Sequence, residues 1–374
     1  MKTKSHLLNI PFIELTRRVL HSEDISVRGY FLLPVYYLKL ILVMPAAFLQ
    51  YLFYSRRIKN TVITKPPLFI LGHYRSGTTY LHKLLSADGR FGFLSYYDMV
   101  CPNSSLLLDS SLKNILQFFI DKLRIKTSFF NNTIPSLDEP AEEERFLINK
   151  GSAFTDYWRF MFPLCWNKWQ RCSVLLKEPG YCDRWKREYM YLLKQATFSN
   201  KGKQIILKSP PNTERIQYLL DLFPDAKFIY ISRNPYHVFY STCNMWKKAI
   251  TRFKLQKISG EQIEKIVFDE YIHMVEHYKK DKELIPAGNL IEIRYDDLEI
   301  DPVNLLEMIY TKLNLPDFKI AKELILKKLQ QERKYQKFEY AYSEDVFKKI
   351  ESRWGKYIDQ WNEKKAEVFI NEYA

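Results

Sequence analysis

The stretch FILGHYRSGTTYLHKLL, residues 69–85, decides how the rest of the chain is read. Four apolar residues run into a turn bounded by Gly72 and Gly77, and an amphipathic pattern begins at once behind it. A buried strand, a glycine-containing loop and a helix in immediate succession place backbone N–H groups at a helix N-terminus, where an anion is held. The two glycines have the G-x-x-x-x-G spacing of a nucleotide-binding loop, yet Thr78 and Thr79 follow where such a loop carries lysine. The anion expected here is therefore held by Arg75, the hydroxyls of Ser76, Thr78 and Thr79, and the backbone at Gly77.

Outward from this loop, short apolar runs at Leu68–Leu71, Ile205–Leu207, Phe228–Ile231 and Leu290–Ile293 each precede a turn and a helical pattern. That rhythm predicts an α/β, P-loop-like three-layer fold: a central parallel sheet flanked by helices. Residues 65–374 are expected to form this domain, with a mostly helical, aromatic-rich insertion around 104–200 containing Tyr157, Trp158, Phe160, Trp166 and Trp169. Taken singly, those aromatics are core residues; as a group they can wall a substrate cleft.

Residues 1–64 are expected to form an N-terminal helical region. Its apolar segment 31–54, FLLPVYYLKLILVMPAAFLQYLFY, is long enough to cross a bilayer. Lys39, Pro34 and Pro45 argue against a span, and the tyrosines with Arg56, Arg57 and Lys59 suit a segment at a membrane surface. A pair of short helices packed on the core is the alternative.

Composition narrows the partners. A chain of 374 residues with 47% hydrophobic content is globular, and its net charge of +14 points to anionic ligands. No basic, aromatic-interleaved run and no zinc-finger spacing supports nucleic acid. The five cysteines, Cys101, Cys165, Cys172, Cys182 and Cys243, are scattered and unpaired in pattern, which fits reduced thiols in the cytoplasm, at most associated with the inner face of the membrane. Glycosylation-like triplets begin at Asn103 and Asn131 and are of a kind common by chance.

A second motif, SRNPYHVFYS (232–241), places Arg233 at a strand end, Asn234 and Pro235 at a helix start, and Ser241 two turns along. Arg233 and Ser241 can clamp a second phosphate at the carboxyl edge of the sheet. A third stretch, DEPAEEERFL (138–147), gathers carboxylates where a helix begins. Acids there suit a helix dipole.

With these blocks in place, the chain resembles the sulfotransferases that use 3′-phosphoadenosine 5′-phosphosulfate (PAPS), in particular a broad, largely bacterial family. The resemblance runs through RSGTT, DEPAEEERFL, ILKSPPNTERIQYLLDLFPDAKF (206–228), SRNPYHVFYS and IRYDDLEIDPVNLLEMIYTKLNL (293–315), from about Pro67 onward. It implies that Arg75, Ser76, Gly77, Thr78 and Thr79 hold the 5′-phosphosulfate, and that Arg233 and Ser241 hold the 3′-phosphate. Lys208 would stabilise the transferring group. Where cytosolic sulfotransferases carry a basic histidine, this chain has Pro210, so the base passes to the acids, Glu142 ahead of Glu144, with Glu143 on the opposite helix face. His73 and His82 are lesser candidates. Sulfuryl transfer so arranged needs no metal, and the acceptor would be a hydroxyl or amine on a small molecule, glycan or lipid. The competing readings are a nucleotide kinase or NTPase with a degenerate loop, and a membrane-associated binding protein without catalysis.

Overall fold

The four apolar runs become the centre of the molecule in a computed structural model, which describes residues 11–22, 24–107, 110–122, 136–150, 152–332 and 344–371. They form strands β1 (Leu68–Leu71), β3 (Gln204–Lys208), β4 (Lys227–Ser232) and β5 (Leu290–Arg294), joined by a two-residue β2 (Phe91–Gly92). All pairings are parallel, in the spatial order β2-β3-β1-β4-β5. Continuous apolar runs are what a parallel sheet requires, because helices cover both of its faces.

The period-two alternation of β1 sorts its side chains between two cores. Phe69 and Leu71 face one layer, with Leu207, Phe228, and Trp185, Tyr189 and Leu192 of the helix Tyr181–Ser199. Leu68 and Ile70 face the other, with Leu81 and Leu84 of the helix Thr78–Leu85 and Leu306 and Ile309 of the helix Pro302–Lys312. Three layers result. A third cluster joins the helices Pro235–Phe253 and Gly260–Asp281 to the C-terminal helix Glu344–Asn371 through Phe239, Phe268 and Trp354.

Between β2 and β3 the described chain is mainly helical. Trp158 and Trp166 are core residues, whereas the side chain of Trp169 and the triplet at Asn131 lie outside the described residues. Asn103 is half-buried in a turn.

The N-terminal region is helical and differs from the alternative of a pair of short helices. Val27–Lys59 is one helix of 33 residues that carries Pro34 and Pro45 inside it, with Ser26 capping its start by accepting from Gly29 N at 3.1 Å. Leu33 and Ile58, near its two ends, are buried, while a broad face between them is exposed.

Candidate active site

The loop after β1 owes its shape to three positive φ angles: 143° at Gly72, 68° at Arg75 and 99° at Gly77. Gly77 is required twice over. Its φ is disfavoured for L side chains, and a Cβ there would lie 2.1 Å from Cδ2 of Tyr295. The sequence reading assigned Gly77 to close approach of a ligand; in the structure a ring of the protein takes that side. Ser76 stitches the turn, its Oγ donating to His73 O at 2.7 Å, and Thr213 Oγ1 accepts from Gly72 N at 2.9 Å. The helix Thr78–Leu85 then starts at the mouth of a cleft lined by Arg75, Thr78 and Thr79. First-turn N–H groups of a helix have no intrahelical acceptor, so they remain to bind an anion.

The second motif folds onto the first. Asn234 Oδ1 accepts from Tyr236 N at 3.0 Å and Pro235 opens the helix, as its sequence demands. Arg233 stacks over the Tyr295 ring, 4.1 Å from its centroid, and donates to Arg75 O at 3.3 Å. Arg75 Nε donates to Ser241 Oγ at 2.7 Å. The two segments, more than 150 residues apart in the chain, thus meet through Arg75.

Lys208 at the end of β3 joins the loop to the acids. Its side chain is 3% exposed, and Nζ donates to Thr79 Oγ1 at 3.1 Å and pairs with Glu142. Tyr157 OH donates to the other Glu142 oxygen at 3.1 Å. Burial works against the charge on Glu142, but Lys208, Arg145 and Tyr157 overcome it and hold the carboxyl below its ordinary range. Pro210, at the position expected to have lost a histidine, also lines the cleft.

The three successive acids part company. Glu142 precedes the helix Glu143–Lys150 and lines the cleft. Glu143 is buried beneath it, accepting from Lys208 N at 3.2 Å, Asn212 Nδ2 at 2.5 Å and Tyr189 OH at 3.2 Å. Burial pushes its carboxyl up to about 7. Glu144 does not line the cleft: it pairs with Arg215, both side chains at most 1% exposed, and accepts from Asp156 N at 3.1 Å. The expected catalytic set therefore separates, with Arg75, Lys208 and Glu142 together in the cleft and Glu144 in an ion pair apart from it.

Both histidines near the loop are buried. Burial lowers the pKa of His73 and of His82, the latter further under the influence of Lys208, so both are neutral. His73 Nδ1 stands 2.9 Å from Tyr74 O. The other side of the cleft consists of Tyr96, Arg145, Tyr157, Phe160 and Met245. Tyr157 and Phe160 belong to the aromatic group that the sequence marked as cleft or core; Tyr96 and Arg145 were missed, although Arg145 lies within the acidic motif. Tyr74 hydrogen-bonds Asp156, which also accepts from Arg159 Nη2 at 3.0 Å, and Arg159 pairs with Glu270. That buried chain fixes the loop to the wall. Among the described residues no group of three His, Cys, Asp or Glu side chains is arranged to hold a metal ion.

Fold and site together define an α/β transferase of the P-loop type, with a cationic anion cradle and a carboxylate facing it across one lysine. Residues 66–319 match the model of the sulfotransferase family, and the chain belongs to that family. It is 30% identical over 313 residues to omega-hydroxy-beta-dihydromenaquinone-9 sulfotransferase Stf3 of Mycobacterium bovis and of Mycobacterium tuberculosis, covering 83% of this chain and 79% of each relative. Among solved structures, sulfotransferase STF9 from Mycobacterium avium superposes with a TM-score of 0.72 at 18% identity, covering 92% of this chain and 88% of that one. Sulfotransferase STF1 from Mycobacterium tuberculosis gives 0.66 at 17%, covering 84% and 85%. The expected fold and reaction class are thereby established.

Proposed function

We propose that this enzyme moves a sulfuryl group from PAPS to the hydroxyl of an apolar, lipid-type acceptor, with Glu142 as the base. The observation that carries the reading is Lys208, whose ammonium reaches both Thr79 of the anion loop and Glu142. A group held on the loop and an acceptor hydroxyl at Glu142 would share that one cation. The fit to a 3′,5′-bisphosphorylated donor is supported by the donor set itself: Arg75, Arg233 and Lys208, with Thr78, Thr79 and Ser241 hydroxyls, surround the loop.

PAPS supplies the sulfuryl group and leaves as the bisphosphate; the rest falls to the chain. Arg75, Ser76, Gly77, Thr78 and Thr79 would bind the 5′ end, and Arg233 and Ser241 the 3′-phosphate. Charge developing on equatorial oxygens in a loose, in-line transfer is stabilised by the helix N-terminus, Arg75 and Lys208. Glu142 accepts the acceptor proton, while Tyr157 fixes the rotamer of its carboxylate.

The apolar wall of Phe160, Met245 and Tyr157 favours an acceptor with little charge, and the menaquinone-derived substrate in the name of the Stf3 relatives agrees with a lipid alcohol. The five free cysteines support a cytoplasmic location. Transfer of radiolabelled sulfur from PAPS to a long-chain alcohol tests the reading, with Glu142→Gln and Lys208→Ala as inactive controls. Binding of 3′,5′-bisphosphoadenosine in the presence of a chelator, without binding of ATP, is expected; magnesium-dependent ATP binding instead would return the chain to the nucleotide-kinase reading. Donor binding without transfer to any acceptor would favour a non-catalytic binding protein.

A further inference from the structure

The helix Val27–Lys59 presents a stripe of Phe31, Val35, Leu38, Leu42, Leu49 and Phe53, between 44% and 77% exposed, at the three-, four- and seven-residue spacings of one face. Such a contiguous apolar face on a folded protein marks an interaction surface. Its opposite edge is tied to the catalytic body at intervals. Ser26 N and Oγ both donate to Leu255 O, at 2.7 and 3.0 Å. Gln50, 4% exposed, donates to Pro102 O at 3.2 Å and accepts from Leu106 N at 2.9 Å. Ile58 is fully buried, and Lys194 Nζ donates to Lys59 O at 2.8 Å.

A helix pinned near both ends and at Gln50 to a single α/β body cannot thread a bilayer; it can lie along one. Charge complementarity says which kind. Arg28 at one end and Arg56, Arg57 and Lys59 at the other are exposed, with no acid between Val27 and Lys59. Arginine and lysine flanking an apolar face match an anionic headgroup layer. A second exposed apolar stripe supports this: Ile115, Phe118 and Phe119 on the helix Ser110–Lys122, which follows the segment bound to Gln50.

We infer that Val27–Lys59 is an interfacial docking helix for an anionic bilayer, lying in the headgroup plane rather than spanning it. The surface stands independently of the proposed function; its link to the acceptor rests on that reading. Leu33 on its buried edge packs with Trp158, Met161 and Phe162, while Tyr157 and Phe160 of the same turn line the cleft. Leu255, which receives Ser26, also donates to Met161 O at 2.8 Å. One short helix, Trp158–Met161, thus separates the docking helix from the acceptor wall.

The full chain is to be sedimented with vesicles of phosphatidylcholine alone and of phosphatidylcholine with phosphatidylglycerol. Binding is expected only to the second, weakening with salt. Arg56→Gln with Arg57→Gln should lower the partition coefficient roughly 30-fold, at about a fivefold loss per basic residue. Leu38→Asp with Leu42→Asp should abolish binding while preserving the melting temperature and turnover of a water-soluble alcohol. Equal binding to both vesicles, or binding indifferent to the Asp pair, overturns the inference. So does resistance to alkaline carbonate extraction, which would mean a span, or a dimer in sedimentation velocity that the Asp pair dissociates, which would make a second copy the occupant. Vesicle binding without any sulfuryl transfer would sink the proposed function and leave the docking surface standing.

Discussion

Exchanging Glu142 and Glu144, one at a time, for glutamine separates catalysis from architecture at two positions only two residues apart. Glu144 and Arg215 are both buried to within 1%. Neutralising the acid leaves a guanidinium out of water without its charged partner, with Val174 O and Phe154 O among its acceptors, at 3.1 and 3.3 Å. Removing one partner of a buried pair costs about 3–5 kcal/mol. At roughly 1–2 °C per kcal/mol for a chain of this length, Glu144→Gln should lower the melting temperature by about 3–10 °C. Glu142 is 19% exposed on the cleft, and Gln keeps an oxygen for the Tyr157 hydroxyl, so the fold is expected to change little. Loss of the base should instead slow transfer by about 10²–10⁴-fold. Differential scanning fluorimetry beside a radiolabelled-sulfur assay reads both quantities. A Glu144→Gln protein that melts within a degree or two of wild type but transfers nothing would refute the argument and return the base to Glu144. A Glu142→Gln protein with near-normal turnover would remove Glu142 from the chemistry altogether.

Three further outcomes are expected. Because Glu142 is held below the ordinary carboxylate range, its basic form persists as pH falls, and the acid limb of kcat/KM should lie below that of an ordinary glutamate; Arg145→Met should move that limb upward in a pH–rate profile. Glu143 and Glu214 are raised by burial, to about 7 and about 8, above their unfolded values. Their protonated forms favour the fold, so the stability these two groups contribute is complete below about pH 4.3 and is lost as pH rises through the folded values; Glu214→Gln should raise the melting temperature at pH 9 and leave it nearly unchanged at pH 4. Gly77→Ala drives a methyl into Tyr295 at a φ of 99°, and calorimetry should show donor affinity reduced more than tenfold.

Much of this was written in the chain. The four longer strands are legible because parallel strands buried on both faces are nearly uninterrupted apolar runs, and the structure extends each predicted run by no more than two residues. β2 was not legible: Phe91 and Gly92 pair with β3 without any run of their own. The anion loop and the Asn234–Pro235 cap were readable because local chemistry alone sets them. The resemblance ranks Glu142 ahead of Glu144, but the spacing of the acids at 142–144 does not itself sort them, since consecutive residues at a helix start point about 100° apart and all three are drawn inward. What sorts them are Lys208, Asn212 and Arg215, brought in by the segment around β3 from more than 60 residues away. In the N-terminal segment, two prolines suggested an interruption, but the anchors at Ser26, Gln50 and Lys59 hold one continuous helix across them.

The cleft is assembled from two sources of unequal rigidity. Arg75, Thr78, Thr79 and Lys208 stand beyond the carboxyl ends of β1 and β3, two adjacent strands of one hydrogen-bonded sheet. Arg145, Tyr157 and Phe160 come from helices of the insertion between β2 and β3, which add no strand to that sheet. Such a division makes the enzyme a constant reagent holder fitted with an exchangeable mould. The insertion can be recut in length and aromatic content to admit a different acceptor while the register of the sheet, and with it the spacing of the cations, stays as it is.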